Sequence, residues 1–154
     1  GTHVPKVERM GRVVKERLRY FFAFLPLRVP ARVIKFAVVF STSRLNFIPH
    51  AADGSRICPR ERFTGRKVTY NKELELAFGD YCEVHSKPGI TNSMEPRSLS
   101  AIAMYPANNM QGSWHFYIMS KGTMIVRDKW KLLPTPQVIV EAMNKMADED
   151  QAAL

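Results

Sequence analysis

The chain has 154 residues, of which 45% are hydrophobic, so it can bury a core in one ordinary domain or two small ones, and its composition excludes a disordered segment. Its formal net charge is +9, and the excess lies in the first third: residues 1–50 hold ten Lys or Arg against two acids, whereas residues 101–154 hold five against five. A localised cationic face suits a binder of phosphate backbones, but a solvated surface also explains a single run of charge. Charge alone therefore leaves both interpretations open.

The composition and motif spacing also exclude several classes of protein. No apolar run reaches the roughly 20 residues of a membrane span, because prolines and cations interrupt residues 19–40, and the short apolar run does not suit a signal peptide. Cys58 and Cys82 form no C-x-x-C pair, so we expect reduced thiols without a metal site. We expect an intracellular chain, in the nucleus or cytoplasm, without a membrane partner. The start at Gly1 rather than Met suits a piece of a longer protein.

The first predicted element is a helix over residues 7–25, ended by Pro26. At about 100° per residue, one stripe of this helix carries an acid followed by cations, namely Glu8, Arg12, Lys15 and Arg19. The opposite side carries Met10, Val14, Leu18, Phe21 and Leu25. The pattern thus predicts that the helix buries an apolar face and presents the charged stripe to solvent.

The remaining elements predict an α+β chain. A second, nearly all-apolar helix is expected over residues 30–46, and a short one from Pro59 to Gly65. Four segments with alternating apolar residues then predict a small antiparallel β unit: YCEVH, SAIAMY, WHFYIM and TMIVRD. A last helix is predicted over residues 137–147, and residues 147–154 are predicted to be a frayed tail.

Read in order, these landmarks resemble the pol polyprotein of copia-type LTR retroelements at the end of the integrase core. VPKVERMGRVVKER is similar to that family's N-G-x-x-E-R-x-N-R-T segment, and SRLNFIP to the turn that follows its next helix. CPRERFTGRK resembles the T/S-P-x-E-x-x-T/F-G-x-K motif, and AFGDYCEVH resembles V-F-G-x-x-x-Y-V-H. Residues 98–130 resemble the family's following β domain. The resemblance extends from Val4 to about Leu133, and the order of five motifs carries it.

The resemblance implies an α+β architecture in three parts. Residues 1–72 would be the C-terminal helical part of an RNase H-like integrase core, residues 73–134 an SH3-like antiparallel β domain, and residues 135–154 a helix and tail. The helical part would lack the sheet it normally covers. We therefore expect exposed apolar surface, carried by Phe21, Val33, Phe36 and Phe40.

The resemblance also implies a site. Integrases transfer phosphoryl groups with two Mg²⁺ ions held by three carboxylates, and Glu8 matches the last of these. The two aspartates would lie upstream, so we expect no strand transfer by this chain alone and Mg²⁺ only in a full integrase. The cations expected to bind nucleic acid are Arg9, Arg12, Lys15, Arg19, Arg66 and Lys67. Without the resemblance, Glu8 is a helix N-terminal acid that favours the macrodipole, or a partner of Arg12.

Three functions remain open. The first is a polyprotein fragment in DNA integration, with DNA and the rest of the polyprotein as partners and RNA as an alternative ligand. The second is a non-catalytic nucleic-acid-binding protein derived from such an element. The third is a protein-interaction module built on the β unit. Each of the three functions is compatible with a homo-oligomer. Trp130, with Arg127, Lys129 and Lys131 around it, offers a stacking surface, but we prefer a core role for this tryptophan.

Overall fold

The computed structural model describes residues 4–49, 54–86, 94 and 96–153, and the fold is α+β, as predicted. The chain divides into two compact units, of which the first comprises Gly1–Ile48 with Pro136–Leu154 and the second Pro49–Thr135. The helices of the first unit are α1 (Pro5–Phe24), α2 (Ala31–Leu45) and α5 (Gln137–Ala152). The second unit holds α3 (Pro59–Thr64), α4 (Tyr70–Glu73), β1 (Tyr81–His85), β2 (Ser98–Pro106), β3 (Trp114–Ile118), β4 (Thr123–Arg127) and β5 (Trp130–Leu132).

The helices α1 and α2 lie within two residues of their predicted bounds. Pro5 starts α1, where a missing backbone N–H costs nothing, and extended backbone at Leu25 ends it before Pro26. The two helices pack together, and the rings of Phe21 and Phe40 lie 5.6 Å apart.

The expected exposure of apolar residues in the first unit is only partly right. Val33 and Phe40 are buried, so the prediction was wrong for these two, because α2 packs against α1 and also against α5. No described residue of α1 is fully buried, in contrast to the predicted burial of its apolar face. Apolar surface is exposed instead at Val7 and Met10 of α1 and at Val38 and Val39 of α2, with others.

The predicted frayed tail was wrong as well, because α5 continues to Ala152. Pro30 precedes α2 and has no side-chain acceptor for the helix N-terminus, which leaves backbone N–H groups in need of partners. Asp150 of α5 supplies one: its Oδ2 accepts a hydrogen bond from the backbone N–H of Arg32 at 3.0 Å, and Oδ1 accepts one from the Arg32 Nε at 2.8 Å. The acidic end of α5 is therefore the cap of α2.

Replacing Asp150 by asparagine is expected to lower the melting temperature of the protein at neutral pH. Hydrogen bonds from Arg32 hold the pKa of the Asp150 carboxyl below its usual value of 3.8, so the unfolded chain takes up a proton more readily than the folded one. The stabilisation is fully present above about pH 4 and is lost as the pH falls through the lower folded pKa. Melting curves of both proteins between neutral and acid pH should therefore converge at low pH.

Asp148 provides the matched control for this prediction. It lies on the same helix and pairs with Arg28 at 2.7 Å, but both side chains are more than half exposed. Exposed pairs of this kind contribute little, so Asp148→Asn should leave the melting temperature nearly unchanged. Equal effects of the two variants at neutral pH would show that Asp150 has no special role as a cap.

The second unit is built on a five-stranded antiparallel sheet with the strand order β4-β3-β2-β1-β5. The four predicted strands are confirmed, and β1 has the predicted ends. The last strand, β5, was missed; it pairs with β1 through the partners Cys82 and Leu132. A register shift between Ala103 and Tyr105 places an extra residue in β2. Residues 101–104 of this central strand are all buried.

This sheet curls so that strands far apart in its order come together. The rings of Phe116 on β3 and Trp130 on β5 lie 5.9 Å apart, although β2 and β1 separate these strands in the sheet. The guanidinium of Arg127, at the end of β4, donates hydrogen bonds to the carbonyls of His85 at 2.8 Å and Ser86 at 2.9 Å, just after β1. One core therefore serves the whole unit.

The compact units divide the chain at Ile48 and Pro136, whereas the sequence boundary was placed at residue 72. The helix α3 belongs with the sheet, because Arg60 pairs with Glu73 and its Nη1 also reaches the Asn108 side chain, beyond β2, at 3.5 Å. Cys58 and Val68, which flank α3, are buried in this unit. The helix α5, at the other end of the chain, belongs to the first unit.

Candidate nucleic-acid interface

The helix α1 presents the predicted charged stripe along its exposed side. Glu8, Arg12, Lys15 and Arg19 are all exposed, and Arg9 lies one turn before Arg12. From Glu8 to Arg19 the helix rises by about 16 Å, which matches roughly five base-pair steps of a duplex. The stripe is thus long enough to follow several phosphates.

Cations outnumber acids in α1. Six Lys or Arg residues and two Glu residues lie in α1. Among the described residues, the ion pairs of the first unit join Arg28 to Asp148 and Arg32 to Asp150, and none involves a cation of α1. The acidic end of α5 is thus engaged by cations that follow α1, and the α1 cations keep an excess of positive charge for an anionic ligand.

An apolar groove runs beside the stripe, between α1 and α2. It has a volume of about 610 Å³, and its lining is Lys6, Val7, Met10, Gly11, Val14, Lys15, Leu18 and Val38. We call it the α1–α2 groove. Lys15 belongs both to its rim and to the charged stripe, so a ligand bound along the cations would run beside an open apolar surface. The groove is lined by residues of the apolar α1 face that was predicted to be buried, and this face is therefore only partly covered.

Glu8 is the predicted catalytic and metal-binding residue, and it lies in the first turn of α1. Within the described ranges, no three His, Cys, Asp or Glu side chains come together as a metal-binding group. A single carboxylate does not hold two Mg²⁺ ions, so these residues do not fit the two-metal site that the resemblance implies. At the start of a helix, the Glu8 carboxylate does favour the positive end of the macrodipole.

Arg66 and Lys67, the other predicted nucleic-acid contacts, lie in the second unit, in the loop after α3. Gly65 ends α3 in the left-handed conformation with a φ of 66°, and its N–H donates to the Glu61 carbonyl at 2.9 Å. The Glu61 carboxylate accepts a hydrogen bond from the Val68 N–H at 2.8 Å, on the far side of the two cations. Both cations are exposed and their loop is held at each end.

The cations around Trp130 are less suitable for a ligand. The Arg127 guanidinium is occupied by the carbonyls of His85, Ser86 and Val126. Trp130 is half-buried against Phe116, which agrees with the preferred core role. Of the three cations, Arg127 is half-buried, and Lys129 and Lys131 are exposed.

Sequence reasoning missed the most exposed aromatic residue among the cations. Phe63 of α3 is 93% exposed and lies between Arg62 and Arg66 in the chain. A helix of six residues is too short for periodicity to show which face is buried. The available signal was an aromatic residue inside a run of cations.

Burial shifts the pKa values of Cys82 and His115 in the second unit. Burial raises the pKa of the Cys82 thiol to about 12, so the group stays protonated and is a poor nucleophile at neutral pH. His115 stacks on Tyr105 with ring centroids 4.2 Å apart, and burial lowers its pKa, which favours the neutral imidazole. Both groups serve packing.

Within the described part of the chain, no helix combines the length and apolar character that crossing a bilayer requires. No protein-family model matches this chain, and comparisons with curated proteins and with solved structures gave no match either.

Proposed function

We propose that this chain is part of a copia-type retroelement polyprotein that takes part in DNA integration, and that it binds nucleic acid through the cationic stripe of α1. The observation that carries the binding is the exposed row of Arg12, Lys15 and Arg19, in a helix where cations outnumber acids six to two. Cations spaced along one helix face contact successive phosphates without reading sequence.

The assignment to the retroelement polyprotein draws on the order of the five sequence motifs. The strand order of the second unit adds support, since a curled meander whose last strand pairs with its first is the arrangement expected of an SH3-like barrel. The helical unit is proposed to be the end of an RNase H-like core. Both fold assignments belong to this proposal.

In this proposal Glu8 would be the last carboxylate of an integrase triad whose other members belong to a longer polyprotein. Among the described residues, Glu8 belongs to no group of three side chains that could hold a metal ion. The chain by itself should therefore bind DNA without joining it. Mg²⁺-dependent joining of a donor end by this chain, lost in Glu8→Gln, would contradict that statement.

The test of the proposal is the salt dependence of duplex binding. We expect the anisotropy of a fluorescent duplex of about 20 base pairs to rise on titration with the full chain, and the binding constant to fall steeply between about 50 and 200 mM salt. For three phosphate contacts, the slope of log K against log salt should be roughly −3. A salt-independent signal, or no binding at about 50 mM salt, would overturn the proposal.

A further inference from the structure

The side chain of Phe63 projects into solvent from a rigid support. It is 93% exposed, whereas large aromatic residues normally bury most of their surface. Its helix, α3, starts at Pro59 and ends at Gly65, and the Glu61 carboxylate accepts hydrogen bonds from the backbone N–H groups of Cys58 at 3.4 Å and Val68 at 2.8 Å. The ring is therefore presented by a helix that is fixed at both ends.

The surroundings of this ring are cationic. Arg62, Arg66 and Lys67 are exposed within four residues of it. The Glu61 carboxylate, the nearest along the chain, accepts hydrogen bonds from backbone N–H groups, and Glu73 pairs with Arg60. Within the described ranges, neither Arg66 nor Lys67 pairs with a carboxylate, so both are available to an external anion.

An exposed aromatic ring among cations fits one class of ligand, a nucleic-acid strand with unpaired bases. Every base has a face that stacks on an aromatic ring, and the phosphates on either side suit Lys and Arg. In a duplex these faces are covered by neighbouring bases, so the ring adds nothing there. The chemistry at Phe63 therefore favours a single strand over a duplex.

We propose that α3 and the loop after it bind single-stranded nucleic acid, with Phe63 stacked on an unpaired base and with Arg66 and Lys67 on the flanking phosphates. The site lies in the second unit and does not use the α1 stripe. This inference rests on the proposed function only for the class of ligand, which is nucleic acid. It adds a second site, which prefers a single strand, whereas the α1 stripe binds a duplex.

The test compares a fluorescent oligothymidine of about 15 nucleotides with a duplex of equal length, using the full chain. Phe63→Ala is expected to weaken single-strand binding by at least about tenfold and to leave duplex binding unchanged. Phe63→Trp should retain or increase single-strand affinity, because it keeps an aromatic face. Arg66→Gln with Lys67→Gln should lower the salt slope for the single strand by roughly 1.4.

Met110→Ala is the matched control, since Met110 is 72% exposed, lies in the same unit and has no charged residue beside it in the chain. It should bind both ligands as the parent chain does. Tryptophan fluorescence reports on folding of the second unit, which contains both tryptophans. If Phe63→Ala alters that fluorescence, Phe63→Leu removes the aromatic face while keeping the apolar bulk.

Unchanged single-strand affinity in the folded Phe63→Ala or Phe63→Leu protein would overturn this inference, as would equal loss in Met110→Ala. The proposal for α1 can fail independently. In that case duplex binding would not depend on the α1 cations, but single-strand binding would still depend on Phe63. If the chain binds no single strand, the inference is wrong.

Discussion

Replacing Arg12, Lys15 and Arg19 together by glutamine is expected to weaken duplex binding by roughly 10- to 100-fold at about 0.1 M salt. These side chains are exposed along one stripe of α1, and none forms an ion pair with a carboxylate of the described residues. Each lost phosphate contact removes about 0.9 from the salt slope, so the triple variant should lose roughly 2.7 of it. Anisotropy titrations at several salt concentrations measure both quantities.

The control has to remove the same amount of charge at other places. Lys35, Lys121 and Lys145 are exposed on α2, on the turn between β3 and β4, and on α5. Their triple replacement by glutamine lowers the net charge by three as well, but it leaves the α1 stripe intact. If both triple variants lose the same affinity, binding follows overall charge, and α1 is not the interface.

The periodicity of the sequence was sufficient to predict α1 and the four strands β1 to β4. In α1, apolar and charged positions separate cleanly at helical spacing, and prolines mark both ends. In the β unit, alternation of apolar residues located four strands. These features are local, so a short window of sequence contains the information.

The features that the sequence did not reveal depend on partners distant in the chain. Asp150 caps α2 from 118 residues away, and its segment reads as a polar tail when taken alone. The strand β5 has three residues, too few for an alternating pattern, and forms because β1 offers it a free edge. Phe63 lies in a segment for which the sequence predicted only a short helix, and its exposure is evident only in the folded second unit.

Replacing Phe116 by alanine is expected to lower the free energy of unfolding of the second unit by roughly 3–5 kcal/mol, enough to unfold a marginal domain. The side chain is fully buried on β3 and its ring contacts Trp130 of β5. Truncation therefore leaves a cavity at the point where the curled sheet meets itself. Denaturant unfolding followed by tryptophan fluorescence measures the loss, because Trp114 and Trp130 both lie in this unit.

Phe63→Ala is the matched control, because it removes the same atoms from a ring that is already in solvent. Surface substitutions of this kind change stability by no more than about 0.5 kcal/mol. The pair of variants therefore separates the two roles of phenylalanine in one unit: Phe116 should change unfolding, and Phe63 should change only single-strand binding. A loss for Phe116→Ala as small as that expected of the surface control would mean that the contact between β3 and β5 does not hold the unit together. If Phe63→Ala itself lowers stability, the single-strand result has to be read from Phe63→Leu.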